Sequence, residues 1–206
     1  MKPEPAPRRL PPGQRLAKGW PVLNYGSVPP FDPATWDFRV WGEVGKPLRL
    51  TYAELRGLPA VHAVADFHCV TKFSVLDNRW EGVRFRTIAE LAGVKPTARA
   101  VMAHCEHGYE ANLPLEVMLE EDVLLSWARN GEPLTPEHGY PLRLVVPSRY
   151  AWKSAKWVRG LELMAKDRPG FWEERGYHNN ADPWNEERYS YQEGFARARF
   201  WRRGRD

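Results

Sequence analysis

The chain reads as an α+β domain in which mixed and antiparallel sheets carry short helices. Three observations lead there. Several apolar stretches alternate with period two, as strands with one buried face do. Two Thr-x-x-Glu patterns have the form of capping boxes, and each opens an apolar run too short for a long helix. In addition, 19 prolines and 16 glycines among 206 residues keep the connections short and stiff. That length suffices for one domain with a sizeable core. With 43% hydrophobic residues and 10 tryptophans, the composition is that of a globular chain.

Residues 1–19 are basic and proline-rich and predict an extended arm. Trp20 to Pro30 is apolar but punctuated, the character of a loop lying over a pocket. Phe38 to Val44 alternates and predicts a strand, Gly45-Lys46-Pro47 a turn, and Leu48 to Leu50 a second short strand. Thr51 and Glu54 form a capping box for a short helix closed by Gly57 and Pro59, and Thr87 and Glu90 form another, stopped by Gly93. The apolar run Val61 to Phe67 leads to Cys69, and Ala100 to Ala103 is a candidate strand. Pro114 to Met118 predicts a helical turn or two. Val123 to Arg129 predicts a strand running into a tight turn at Asn130-Gly131. Leu142 to Val146, bounded by Pro141 and Pro147, has the pattern of a buried strand, and Trp157 to Met164 alternates again. Beyond Lys166 the chain turns polar and aromatic with frequent breakers, without an internal repeat. The expected organisation is an arm over 1–19, one domain over 20–190 and a basic tail over 191–206.

A net charge of +4 permits an anionic ligand without implying nucleic acid. Two cysteines, Cys69 and Cys105, are too few for a disulfide scaffold, and both are expected to be reduced in a cytoplasmic protein. Met1 to Gly13 lacks the apolar core of a secretory signal. No apolar run reaches the roughly 18 residues of a membrane span.

Four groups of residues can carry chemistry. Cys69 sits where an apolar run meets a polar turn, and is a buried inert thiol, a nucleophile or a metal ligand. His104, Cys105 and His107 are soft and borderline donors close enough in sequence to open a zinc site. Arg143 interrupts an apolar strand, and a buried cation calls for an anionic partner. With Lys153 and Lys156 it could make a phosphate cradle, lysine supplying point charges and arginine a fork; the alternative is a surface charge cluster. Arg197 to Arg205, with Phe200 and Trp201 interleaved, reads either as a solvated amphipathic helix or as a nucleic-acid contact. A basic nucleic-acid-binding protein without metal is therefore the competing class of function.

Several segments in one order resemble the molybdopterin-binding domain of the sulfite oxidase family, closest to its small bacterial and archaeal members, over roughly residues 20–190. Asp66-Phe67-His68-Cys69-Val70-Thr71 is similar to the family's metal-ligand segment. His138-Gly139-Tyr140-Pro141-Leu142-Arg143 contains its cofactor-binding His-Gly-x-Pro-x-Arg, and Ser154-Ala155-Lys156-Trp157 its x-x-Lys-Trp. Leu23-Asn24-Tyr25-Gly26-Ser27-Val28-Pro29 resembles its pterin-contact loop, and Gly170 to Trp184 the close of the small members.

The resemblance implies the sulfite oxidase molybdopterin-domain fold and a molybdenum-molybdopterin cofactor. It makes Cys69 the thiolate ligand. Asn24, Tyr25, His138, Arg143, Ser154, Ala155 and Lys156 become cofactor contacts, with Cys105 and Lys153 as further candidates. The family's Cys-Ala-Gly-Asn-Arg-Arg is replaced by Cys69-Val70-Thr71-Lys72-Phe73-Ser74, so Lys72 takes the catalytic anion-attracting place. The implied activity is oxygen-atom transfer to or from a small substrate, either sulfite or an S- or N-oxide in the reducing direction. Electrons would pass to or from a separate partner.

Overall fold

The structure, a computed structural model, describes residues 9–193. In chain order its strands are β1 (Arg15–Leu16), β2 (Asp37–Gly42), β3 (Leu48–Thr51), β4 (Val61–His68), β5 (Phe73–Arg84), β6 (Ala100–Cys105), β7 (Glu110–Pro114), β8 (Leu124–Arg129), β9 (Glu132–Pro133), β10 (Arg143–Val145) and β11 (Val158–Met164). Three short helices are interleaved: α1 (Tyr52–Arg56), α2 (Phe85–Ala92) and α3 (Leu115–Met118). One sheet runs β1-β5-β8-β10, with β4 also on β5 and β9 on β8; the other runs β3-β2-β11-β6-β7. Among the described residues only the β1–β5 and β11–β2 pairs are parallel. The α+β expectation with mixed and antiparallel sheets holds.

A single large core takes side chains from both sheets, Phe38, Val101 and Leu161 from one and Val83, Trp127 and Leu144 from the other. Strand alternation then divides the neighbours of these residues. On β8, Leu125 and Trp127 face the large core, while Leu124 joins a second cluster with Phe67, Cys69, Trp80 and Val145. On β10, Leu144 belongs to the first and Val145 to the second. Arg143 alternates with Leu144 and so shares the side of β10 that carries the Cys69 cluster.

The Thr51 capping box forms in full, with the Thr51 side chain accepting from the Glu54 amide and the Glu54 carboxylate accepting from Thr51 N–H. The second does not form. α2 starts at Phe85 behind an Arg84 cap that makes no side-chain hydrogen bond, and Thr87 lies inside the helix. Burial decides this: Phe85 and Ile88 are fully enclosed, and the Phe85 amide bonds to Val123 O at 3.1 Å. Seating both rings and branches draws the start of the helix upstream of the cap. The buried strand expected over Leu142–Val146 is β10, trimmed to its three central residues and wholly buried. The expected turn at Asn130-Gly131 joins β8 to β9, both residues with positive φ.

Arg15–Leu16, within the expected arm, pairs with Phe73–Ser74 at the edge of the first sheet. The Arg-rich segment from Arg197 to Arg205 lies outside the described residues. Among the described residues no helix is long and apolar enough to cross a membrane.

Candidate functional site

β4 and β5 are joined by a four-residue turn, Cys69 to Lys72. The Cys69 amide donates to Phe73 O at 2.8 Å, and the Lys72 amide donates back to Cys69 O at 3.0 Å. The reversal places Lys72 at φ 73°, a conformation more usual for glycine. Cys69 is 8% exposed. Its Sγ accepts from Thr71 Oγ1 at 3.2 Å and faces a cavity of about 320 Å³, a size suited to a cofactor or small ligand.

The opposite wall is built by His138 and Arg143. His138 stacks on Trp20, with ring centres 3.9 Å apart and planes at 12°. Its Nδ1 is 2.9 Å from Thr135 Oγ1 and its Nε2 is 3.2 Å from Trp20 O. Burial lowers the His138 pKa, against the Trp20 carbonyl, which raises it. Arg143 is 2% exposed. One of its nitrogens donates to His138 O at 3.0 Å, and the guanidinium lies 5.2 Å from the Trp20 ring and 5.1 Å from the Phe67 ring. Its Nε has no hydrogen-bond partner. Burial pulls the Arg143 pKa down to about 9.

Ser154, Ala155 and Lys156 line the same cavity. Ser154 Oγ is held by the Val146 amide at 2.9 Å. Lys156 bonds to Asn24 Oδ1 and, at 2.7 Å, to Glu137 O. Its pKa falls to about 7, through burial first and then the neighbouring Arg143 charge. Lys156 sits close to β10, in an isolated bridge to Arg143. Gly139 permits that approach, since at φ 110° a Cβ there would press on the β-carbons of both Arg143 and Lys156. Asn24 and Tyr25 reach the cavity on the Trp20 loop, and Tyr25 packs on Phe171 with centroids 4.2 Å apart.

Eight expected site residues thus converge on one cavity: Asn24, Tyr25, Cys69 (also the metal-ligand candidate), His138, Arg143, Ser154, Ala155 and Lys156. Three others stand elsewhere. Lys153 is fully buried, but its ammonium pairs with Glu173 at 2.7 Å and donates to Asn112 O and Oδ1 at 2.7 and 2.9 Å. It therefore anchors the Glu173 segment and does not line the cavity. Cys105 packs against the large core, its Sγ nearest Ala103 O and its pKa pushed up by burial. Lys72 is exposed and not among the lining residues, because the left-handed turn sends Thr71 and Phe73 to the cavity instead. The zinc reading loses its geometry as well. His104 is held between Glu110 at 2.8 Å and Glu162 at 2.9 Å, whereas His107 bonds to Ser27 O at 2.9 Å.

Residues not singled out as site residues from sequence complete the walls: Trp20, Phe67, Tyr109, Trp152, Trp172 and Tyr177. Trp20, Phe67, Trp172 and Tyr177 lie in segments the sequence singles out, and Tyr109 and Trp152 carry only the signal of aromatic richness.

The donor set matches an anionic, planar, metal-bearing cofactor. Neither Arg143 nor Lys156 has a carboxylate partner among the described residues, and a buried guanidinium with a free Nε–H is a ready anion contact. Aromatic faces offer stacking for a flat heterocycle. Cys69 supplies one soft sulfur with little else competing for it.

Known proteins agree. Residues 25–172 match the family described as "Oxidoreductase molybdopterin binding domain". An oxidoreductase from Bacillus subtilis, itself uncharacterised, is 48% identical over 184 residues, spanning 89% of this chain and 93% of that protein. The sulfite oxidase of Arabidopsis thaliana is 25% identical over 75% of the chain, which spans only 48% of the plant protein. The chain spans only 20% of the NADH nitrate reductase of Hordeum vulgare, at 29% identity. Among solved structures, the sulfane dehydrogenase SoxCD from Paracoccus pantotrophus superposes with a TM-score of 0.64 at 26% identity, over 70% of this chain and 42% of that one. Fold, site chemistry and relatives converge: the chain belongs to the molybdopterin-binding oxidoreductases of the sulfite oxidase type, whose cofactor is molybdenum-molybdopterin.

Proposed function

We propose that the protein transfers an oxygen atom at a molybdenum held by the Cys69 thiolate, and that its substrate is a neutral S- or N-oxide in preference to sulfite. The observation that carries the site is the meeting of Cys69, the partnerless Nε of Arg143 and Lys156 on one cavity. Molybdenum-molybdopterin, when bound, supplies a metal that exchanges two electrons and an oxygen atom.

The chain does the rest. Cys69 donates its thiolate, with Thr71 Oγ1 as the one hydrogen bond that tempers the sulfur. Arg143 and Lys156 neutralise the cofactor's anionic group. Ser154, Ala155 and His138 shape the cradle, and Asn24 and Tyr25 close it from the Trp20 loop. The aromatic walls exclude water from the reacting centre.

The preference for a neutral substrate follows from charge. Arg143 and Lys156 stand on the His138 wall, bridged to one another. Apart from His138, Arg143 and Lys156, the lining residues, among them Val70, Thr71, Phe73, Trp152, Trp172 and Tyr177, carry no cationic side chain. With Arg143 and Lys156 engaged by the cofactor's anionic group, an oxyanion substrate would lose hydration with no further lining cation to compensate. In the reducing direction a sulfoxide takes two electrons and two protons and leaves as the thioether and water. The electrons come from a separate reduced carrier protein. Two free thiols suit a reducing cytoplasm.

The test uses protein from a molybdate-supplied host that makes the cofactor. About one molybdenum per chain is expected, with turnover of dimethyl sulfoxide or trimethylamine N-oxide exceeding that of sulfite. Cys69→Ser retaining full molybdenum-dependent turnover would refute the ligand assignment. Zinc, or retention on nucleic acid without metal, would revive the other readings.

A further inference from the structure

We infer that two segments outside the matched family span, residues 11–16 and 178–192, form a brace that positions the Cys69 thiolate through its backbone, with Gln14 and Arg188 as the positioning residues. The inference rests on Cys69 being the metal ligand.

Two backbone hydrogen bonds close the turn that carries Cys69, from Cys69 N–H to Phe73 O and from Lys72 N–H to Cys69 O, and the rest of its support comes from outside. It contains a non-glycine residue at φ 73°, Lys72, a conformation that persists only where the surroundings impose it. Three of its carbonyls accept a hydrogen bond from a flanking segment, Cys69 O in addition to the Lys72 amide. Gln14 Nε2 donates to Cys69 O at 3.0 Å. Arg188 Nη1 donates to Val70 O at 2.7 Å. The Arg15 amide donates to Lys72 O at 3.0 Å, and β1 continues as a parallel strand beside Phe73–Ser74.

Both positioning side chains are themselves fixed. Gln14 Oε1 accepts from Ser74 Oγ at 3.4 Å, and Ser74 Oγ lies 2.8 Å from His68 Nδ1. With its oxygen facing a hydroxyl donor, the Gln14 amide must turn its N–H to Cys69 O. Arg188 is 6% exposed and lies 4.8 Å over the Tyr150 ring. Its second nitrogen reaches Pro12 O at 3.4 Å, so one guanidinium ties the C-terminal segment to the ligand turn and to the N-terminal segment together. A planar fork does this, and a lysine cannot make both bonds in the same geometry.

A brace that only kept the sheet edge covered would affect stability alone. A positioning brace also changes how the sulfur meets the metal, since outer-sphere contacts set ligand orientation. The holoenzyme variants Gln14→Glu, Arg188→Lys and Cys69→Ser separate these roles. The readouts are the thiolate-to-molybdenum charge-transfer absorption per bound molybdenum, the metal's reduction potential and the Tm. Gln14→Glu turns an acceptor toward Cys69 O, and it and Arg188→Lys are expected to shift the band and the potential while metal remains bound. Wild-type band and potential in both, with only a lowered Tm, would overturn the inference. An unchanged band in Cys69→Ser would instead remove the ligand assignment on which it rests. Should Arg188→Lys fail to fold, Gln14→Glu, on a half-buried edge segment, decides the question alone.

Discussion

Replacing Lys153 by methionine separates structural from cofactor-binding roles in this site. The ammonium is wholly enclosed. It pairs with Glu173 at 2.7 Å and donates to Asn112 O and Oδ1 at 2.7 and 2.9 Å. Lys153→Met leaves the Glu173 carboxylate, 3% exposed, with Trp152 Nε1 at 2.7 Å as its remaining donor. Stranding a buried charge costs about 3–5 kcal/mol. At roughly 2–4 °C per kcal/mol for a chain of this size, the Tm should fall by about 6–20 °C. Thermal unfolding of cofactor-free protein is the assay, because bound ligand would add its own stabilisation. Adding Glu173→Gln neutralises the stranded charge, keeps an acceptor for Trp152, and should restore on the order of 2 kcal/mol. A single-variant loss under about 1 kcal/mol, or a double variant no better than the single, would refute the buried-pair account. Molybdenum binding well below the Tm should survive the substitution. Its loss there would return Lys153 to the cofactor contacts.

Three further outcomes follow from the same geometry. Arg143→Met removes a buried cation whose Nε has no partner. Cofactor-free protein should then be at least as stable as wild type yet retain little molybdenum, and a stability loss above about 2 kcal/mol would contradict this. Lys156 has a folded pKa of about 7 against 10.5 in the open chain. The unfolded state therefore holds the extra proton across that window, and the stability of cofactor-free protein should rise with pH through it. Lys156→Met should flatten that rise, and amine acylation near neutral pH should favour Lys156 until cofactor protects it. Gly82→Ala should cost at least about 2 kcal/mol in urea unfolding, since its Cβ would overlap the Leu125 carbonyl at the β5–β8 bulge.

Patterned local elements were legible in the sequence. The Thr51 capping box, the buried β10 strand and the Asn130-Gly131 turn follow from residue types within a few positions of each other. β5 was not legible. Asp77, Asn78 and Arg79 interrupt it with loop-like chemistry, and only the partner strands β4 and β8 make twelve residues extended. The Thr87 box failed for a related reason, because tertiary burial of Phe85 outweighed a local cap worth about 1 kcal/mol. In the site, Cys69, Arg143 and Lys156 were legible because charge or sulfur in an apolar run is conspicuous. Lys153 has the same signature, and only its buried carboxylate partner, 20 positions along the chain, tells an internal ion pair from a ligand contact. Gln14 and Arg188 carry no local signal, because what they do depends on carbonyls in a turn far from either in sequence.

This distribution bears on where the family's chemistry ends and the individual protein begins. The matched span, 25–172, contains the metal-ligand candidate, the arginine and the lysine. Trp20, which stacks on His138 and lies beneath both Arg129 and Arg143, is outside it, as is Tyr177 on the cavity wall. So are both ends of the brace. The Bacillus relative aligns over 184 residues, more than the matched span contains, so part of this flanking sequence is common to the two proteins. A cofactor cradle can then be inherited with the span, while ligand orientation and one wall of the substrate cavity are set by the flanks. Such a division lets the flanks change substrate or potential without disturbing the Arg143–Lys156 cradle. Substitutions at Trp20, Tyr177 or Gln14 are accordingly expected to alter KM or band position at full molybdenum content, and substitutions at Arg143 or Lys156 to lower the content itself. Equal loss of metal from both groups would mean that cradle and flanks act as one unit.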